Sequence, residues 1–387
     1  MTDELPWSAA NVRRLQRHAL LPPAATGTDP AAIAAVICGA HAQVLSAAEL
    51  SLAVRIQEAT RTTIQHALWD DHRLIKTYGP RGTVHLLATE DLPLWTAALS
   101  AIPAQTPFPD GVRLTPAQAE EIVDAIGRAL EDAELTIDEL DRAVVDLVGA
   151  WAGDRVMPAF QDLWPRWRQA VGMAAHRGVL CFGPNRGRRV TYTNPRRWLP
   201  GFDPALVDEA IGKVIARYLY AYGPATPNQF AQWIGAPPGW AGEHFERHAQ
   251  KLTKINFSGV SACVSGGDIE MPAEAEAKNS VLLLPYFDAY VVGSHPRDRL
   301  FTGKAATRAL APSGQAGNYP VLLIDGVVAG VWHQRRSGRK VNVTVEPLTR
   351  LTGHQRRALE AQVERLGEIL EGQARLTIGT VTTGGHA

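Results

Sequence analysis

Hydrophobic residues fall at helical spacing from about residue 30, and caps mark the helices they predict. Asp29-Pro30 opens the first, with Asp29 as N-cap and Pro30 at the first helical position. Ile33, Val36 and Ile37 form its apolar face, and Gly39 can stop it in a left-handed turn. Ser46 and Glu49 read as a capping box for the next helix, with Leu45 and Leu50 at the staple positions. The box recurs at Thr136/Glu139 and Thr226/Gln229, with staple pairs Leu135/Leu140 and Ala225/Phe230, so the three starts lie 90 residues apart.

Each predicted helical stretch is followed by two segments of strand character. The first pair is 73–78 and 83–87 across Gly79-Pro80-Arg81-Gly82. The second is 178–182 and 189–193 across 183–188, and the third is 254–257 and 260–264. Gly-Pro followed by Arg-Gly is turn chemistry. Helices and then a hairpin, three times over, is the pattern of tandem winged helices. From about residue 275 the pattern changes. Ser280–Leu284 reads as a buried strand, and Asp325-Gly326 as a tight turn between 321–324 and 327–332. A second hairpin carries the tip Arg335 to Lys340. A helix over Leu351 to Gly372 buries Leu359, Val363, Leu366 and Leu370, with Gly372 as its stop, and Leu376–Ile378 is a last strand. The expected fold is therefore α+β: winged-helix units at 1–110, 111–202 and 203–274, a small β-barrel-like domain with one closing helix at 275–381, and a disordered tail at 382–387.

Between the first two helices lies a short linker pinned at both ends. If it is extended, His41 and Gln43 project to one side and Ala42 to the other. An imidazole and a carboxamide so placed could hold one water. From spacing alone the simpler roles are packing for His41 and backbone tidying for Gln43.

Composition narrows the choices. The chain has 387 residues, enough for two to four compact units, and a hydrophobic content of 45% that argues against disorder. Formal net charge is zero, so the whole molecule is no generic polyanion binder. Only seven of the 39 basic residues are lysine, and arginine suits bidentate phosphate contacts. Cys38, Cys181 and Cys263 are far apart and form no CxxC pair, which suggests neither a zinc site nor a disulfide framework. No apolar run is long enough to span a bilayer and no leader pattern opens the chain, so a soluble, cytoplasmic protein is expected. No Walker or GxGxxG fingerprint, GxSxG elbow or HExxH pattern is present.

Basic clusters remain as candidate phosphate contacts. Arg335, Arg336, Arg339 and Lys340 put four cations in six residues, and Arg186, Arg188, Arg189, Arg196 and Arg197 form a second group. A solvated turn is the ordinary alternative for such runs. Arg81, Thr83 and His85 are a third candidate, for DNA contact or for holding the wing on its core. Asp288 is expected to pair with Arg297 and brace the domain packing.

Several stretches together resemble the AlkZ-like bacterial DNA glycosylases, in the winged-helix family of YcaQ-like proteins. They are Ala40-His-Ala-Gln-Val44, Arg81-Gly-Thr-Val-His-Leu86, Tyr222-Gly-Pro-Ala-Thr-Pro227 with Trp233, Leu283-Leu-Pro-Tyr-Phe-Asp288, and Asp325-Gly326 with Gly330 and Trp332. The resemblance implies three winged helices and a β-barrel around a concave DNA-binding face. It also implies metal-independent excision of alkylated purines, including bulky adducts and crosslinks. The family's catalytic motif is glutamine, one apolar residue, glutamine. It falls on His41-Ala42-Gln43, so Gln43 matches and His41 departs. An N7- or N3-alkylated purine is already a cationic leaving group, so the chemistry needs little beyond a placed water and stabilised charge. Gln43 would orient the water, and a neutral His41, of ordinary pKa ~6.5, would accept its proton. The expectations are a monomeric enzyme acting on double-stranded DNA in base-excision repair or self-resistance, with no cofactor, no metal and no lyase step. The alternative is a non-catalytic winged-helix protein that binds DNA or a drug adduct.

Overall fold

The structure, a computed structural model, describes residues 5–104, 108–158, 162–273 and 277–386. After α1 (Trp7–Arg17), the first unit runs α2 (Pro30–Val36), β1 (Ala40–His41), α3 (Leu45–Ala53), α4 (Arg61–Trp69), β2 (Leu74–Tyr78) and β3 (Val84–Ala88). Asp29 caps α2 by accepting from the Ala31 amide at 2.9 Å. The helix ends before Cys38 and Gly39, both at positive φ. A Cβ on Gly39 would stand 2.6 Å from Leu87 Cδ2, so only glycine lets the chain lie this close to β3. The short β1 then pairs antiparallel with β3, giving the order β1-β3-β2.

The same sequence of elements follows twice more. After α5 (Leu92–Ser100) come α6 (Pro116–Leu130), β4 (Glu134–Thr136) and α7 (Ile137–Val148), then an inserted hairpin of β5 (Arg155–Pro158) and β6 (Leu163–Pro165). The unit closes with α8 (Val171–His176), β7 (Cys181–Arg186) and β8 (Arg189–Thr193). Its sheet order, β4-β8-β7, matches the first unit. The third set is α9 (Val207–Tyr222), α10 (Pro227–Ile234), α11 (Pro238–Arg247), β9 (Leu252–Phe257) and β10 (Val260–Ser265). Ala225 bridges Cys263 of β10, in the place of the short first strand.

The rest of the chain comprises β11 (Val281–Leu284), α12 (Ala289–Gly293), α13 (Arg297–Leu300), α14 (Lys304–Arg308), β12 (Val321–Ile324), β13 (Val327–Ser337), β14 (Lys340–Pro347), α15 (Gly353–Ile369) and β15 (Gln373–Ile378). The Asp325-Gly326 turn has both residues at positive φ, as a two-residue hairpin requires. The strands follow in order from β11 to β15; α15 carries the chain back so that β15 lies parallel to β14. Among the described residues β11 and β15 are not bonded to each other, so this is an open five-stranded sheet rather than a closed barrel. Val12 and Leu15 of α1 pack with Leu284, Tyr290 and Leu323 of this last unit. The two ends of the chain thus share a core.

Several local expectations are corrected. The capping boxes at Thr136/Glu139 and Thr226/Gln229 are present, but the one at Ser46/Glu49 is not. Glu49 is buried in α3 and accepts from Arg61 at 2.5 Å and Gln65 at 3.0 Å. A carboxylate taken from water needs cationic or amide donors more than α3 needs a cap. Asp288 pairs with Arg55, not Arg297, which donates instead to the carbonyls of Val291, Val292 and Ser294. The stop after α15 is Glu371, at φ +54°. Gly372 is required differently, since its Cβ would meet the Arg339 carbonyl at 2.7 Å. Arg335 and Arg336 continue β13 as strand, and Lys340 begins β14. The tail is ordered where described: His386 and Asn318 exchange hydrogen bonds of 2.8 and 2.7 Å, and the imidazole lies against Phe287. The boundary expected at 274/275, and Ala387, lie outside the described residues.

Candidate active site

The linker between α2 and α3 is extended. Ala40 and Ala42 are buried, His41 is half-buried and Gln43 is exposed, so the alternation puts His41 and Gln43 on the outer side. The Ala42 amide donates to the Val84 carbonyl at 2.7 Å, and His41 stands opposite His85 in register. The two imidazoles meet edge to face at 5.2 Å, and Phe287 packs on His41 from the other side at 4.6 Å. Phe287 has φ +53°, a strained conformation for an aromatic residue. Its neighbour Asp288 anchors it.

Behind His41, one network fixes the protonation pattern. His85 Nδ1 lies 2.9 Å from the Thr83 carbonyl oxygen, which can only accept. Nδ1 therefore carries the proton, and Nε2 offers its lone pair to Arg81 Nη2 at 3.5 Å. Arg81, at φ +62°, also donates to the Trp233 carbonyl. Thr83 turns its hydroxyl to the Pro80 carbonyl at 3.1 Å. Arg81 thus ties the 79–83 turn to α10, Thr83 braces the turn itself, and both side chains face a cavity.

A cavity of about 600 Å³ opens in front of His41. Its walls come from three parts of the chain: His41, Arg81 and Thr83; Gln232 and Trp233 of α10; and Phe287, His295, Arg297 and the 313–316 loop. A recess of about 10 Å³ continues behind His41 towards His85 and Tyr222, about the size of one water. Burial lowers both guanidinium pKa values, of Arg81 and of Arg297, to about 10, so both stay charged at neutral pH. Among the described residues neither has a carboxylate partner. The cavity wall is therefore cationic. Burial, followed by Arg81 and His386, pushes His41 down to about 4, while burial, Arg81 and His41 hold His85 well below its ordinary value. Both rings are neutral across the physiological range. His41 Nδ1 is buried with no hydrogen-bond partner among the described residues.

Gln43 is exposed and is not among the side chains lining this cavity. The other sequence candidates lie elsewhere. Arg186 at the end of β7 is paired with Glu139 at 3.1 Å and Glu134 at 3.7 Å, and Arg188 is exposed beside it. Arg335, Arg336, Arg339 and Lys340 are exposed at the end of the β13–β14 ribbon, with no ion pair among the described residues. His295 and Gln232 were not anticipated: each is an isolated polar residue whose place depends on packing between distant units.

A half-buried neutral imidazole facing a cation-lined cavity suits hydrolysis next to a phosphodiester backbone. Comparison with known proteins gives the class. The AlkZ-like DNA glycosylase family model matches residues 34–369. An interstrand DNA cross-link repair glycosylase of Streptomyces sahachiroi is 33% identical over 345 residues, covering 84% of this chain and 87% of the relative. The solved structure of the Streptomyces sahachiroi DNA glycosylase AlkZ superposes with a TM-score of 0.79 at 26% identity, covering 97% of this chain and all of that one. The chain belongs to the AlkZ-like family and is a DNA glycosylase.

Proposed function

We propose that this enzyme hydrolyses the N-glycosidic bond of alkylated purines in double-stranded DNA, leaving an abasic site without strand cleavage. The three recurrent helix–strand–helix–helix–hairpin units are read as winged helices that carry the duplex. The observation that carries the chemistry is the placement of His41: outward on an edge strand, uncharged, with a buried unpartnered Nδ1. In this reading His41 and Gln43 hold one water at the anomeric carbon. With its pKa near 4, His41 is a weaker base than an ordinary imidazole. Its task is to orient the water and receive a proton late, once the oxocarbenium has formed.

The base needs no acid, because alkylation at N7 or N3 has already made it cationic. A cationic wall is a poor place for that base, so Arg81 and Arg297 fit a backbone phosphate beside the lesion. A phosphate held there would also offset the developing sugar charge. The exposed ribbon cations Arg335, Arg336, Arg339 and Lys340, with Arg188, supply further phosphate contacts. The name of the Streptomyces sahachiroi relative, an interstrand DNA cross-link repair glycosylase, supports extending this reading to interstrand cross-links and to a repair setting.

The test is base release from duplexes carrying a single N7-methylguanine, a bulky N7-guanine adduct or an N7 interstrand crosslink, scored against spontaneous depurination. Release from any of the three, with an intact strand before alkali, is expected. Release confined to unalkylated or oxidised bases would overturn the reading.

A further inference from the structure

Away from the cavity, in the third unit, three side chains meet that the glycosylase reading does not use. His244 and His248 are four residues apart on and just after α11, so they share a face. Asp208, in the first turn of α9, lies opposite. One ligand atom from each of the three lies within 4.8 Å of the other two, and His248 Nε2 stands 3.7 Å from Asp208 Oδ1. Both rings are more than nine-tenths buried, and His244 Nδ1 and His248 Nε2 have no hydrogen-bond partner among the described residues. Two buried imidazole nitrogens without hydrogen bonds, beside one carboxylate, are costly unless something accepts their lone pairs. The backbone is cut to admit the ring: a Cβ on Gly212 of α9 would lie 2.8 Å from His248 Cε1. Trp240 holds His244 edge-on at 4.4 Å.

We infer that Asp208, His244 and His248 form a binding site for a late first-row divalent metal ion, with zinc the best match. Two imidazoles and one carboxylate are ligands zinc accepts, and tetrahedral coordination at about 2.0–2.2 Å separates ligand atoms by roughly 3.3–3.5 Å, so the present spacing, 3.7 Å for one pair and at most 4.8 Å for the others, would contract on binding. Asp208 is half exposed, at 56%, so water can take the fourth position. Arg247 donates to Asp208 at 3.1 Å and would have to release that oxygen or share the carboxylate. Such a site clamps the start of α9 to the end of α11. It is structural, because its residues do not line the His41 cavity.

The experiment uses the untagged full chain, stripped with a chelator. Zinc is titrated by calorimetry, and cobalt is followed by its visible tetrahedral bands. Wild type is expected to bind one ion per chain and to melt at a higher temperature with zinc. Asp208→Asn, an exposed and mild change, should weaken binding at least about tenfold. His244→Ala should remove the cobalt bands. Absence of saturable binding would overturn the proposal, as would binding that neither substitution weakens. If His244→Ala is poorly folded, Asp208→Asn decides alone.

Discussion

Replacing Asp288 with asparagine should loosen the molecule and silence the site together. The carboxylate and its partner Arg55 are fully buried, and two parallel bonds of 2.8 Å join them. Ser51 adds a hydroxyl donor at 2.7 Å and the Tyr290 amide another at 3.0 Å. Asparagine keeps the shape but leaves the Arg55 charge without an anion, a loss of about 3–5 kcal/mol. With about 2.1 cal/mol/K of unfolding entropy per residue, 387 residues melting as one unit would lose about 4–6 °C in Tm. Burial alone would raise the Asp288 carboxyl, but Arg55 and the hydrogen bonds outweigh it, and the net shift is downward. A depressed carboxyl stabilises the fold above its unfolded pKa of about 3.9 and loses that contribution as pH falls through the folded value. The gap in Tm between wild type and Asp288→Asn should therefore hold from neutral pH down to about 4.5 and close below it. Excision should fall as well, because Asp288 anchors Phe287 against His41. Differential scanning calorimetry over pH, with base release at 25 °C, measures both. An unchanged Tm at pH 7, or a gap that widens in acid, would show that the Asp288–Arg55 pair does not stabilise the fold in this way.

Three further outcomes follow from the same geometry. Single-turnover excision should stay flat from pH 8 to about 5.5, since the neutral form of His41 persists until its pKa near 4; an acid limb centred near 6.5 would contradict the burial argument. Changing Arg335, Arg336, Arg339 and Lys340 together to glutamine should weaken DNA binding and reduce the log–log salt slope by up to about 3.6, read from filter binding or anisotropy between 50 and 200 mM salt. An unchanged slope would mark the ribbon as solvated and remote from DNA. Arg81→Met should leave His85 Nε2 and the Trp233 carbonyl without their donor, lowering excision at least about tenfold with a smaller loss in binding; equal losses in both would make Arg81 a phosphate contact and nothing more.

What the sequence made readable was mostly local. The caps at Asp29, Thr136 and Thr226 and the turn at Asp325-Gly326 depend on neighbours within a few residues, and each is where its chemistry places it. The shared outward direction of His41 and Gln43 follows from an extended linker, although only His41 lines the cavity and the Ser46 cap expected at its far end is absent. Glu49 misled because its sequence context fits a cap, while Arg61 and Gln65 claim it from α4. Asp288 finds Arg55 across 233 residues, and the tail folds back on Asn318 across 68. Neither spacing carries a local signal. The cavity itself is invisible in sequence because three separate units each contribute one wall. The matching stretches quoted for the family already contained Trp233 and Phe287, without revealing that both face His41.

In the proposed function His41 and Gln43 act on the water and not on the DNA. Single-turnover base release and duplex affinity should be measured side by side for wild type, His41→Ala and Gln43→Ala on the adduct that wild type releases fastest. Affinities within about threefold of wild type are expected, with release slowed by roughly 10²–10⁴-fold in both variants. Release at the wild-type rate in either variant, or a loss that follows affinity alone, would return these side chains to packing and binding.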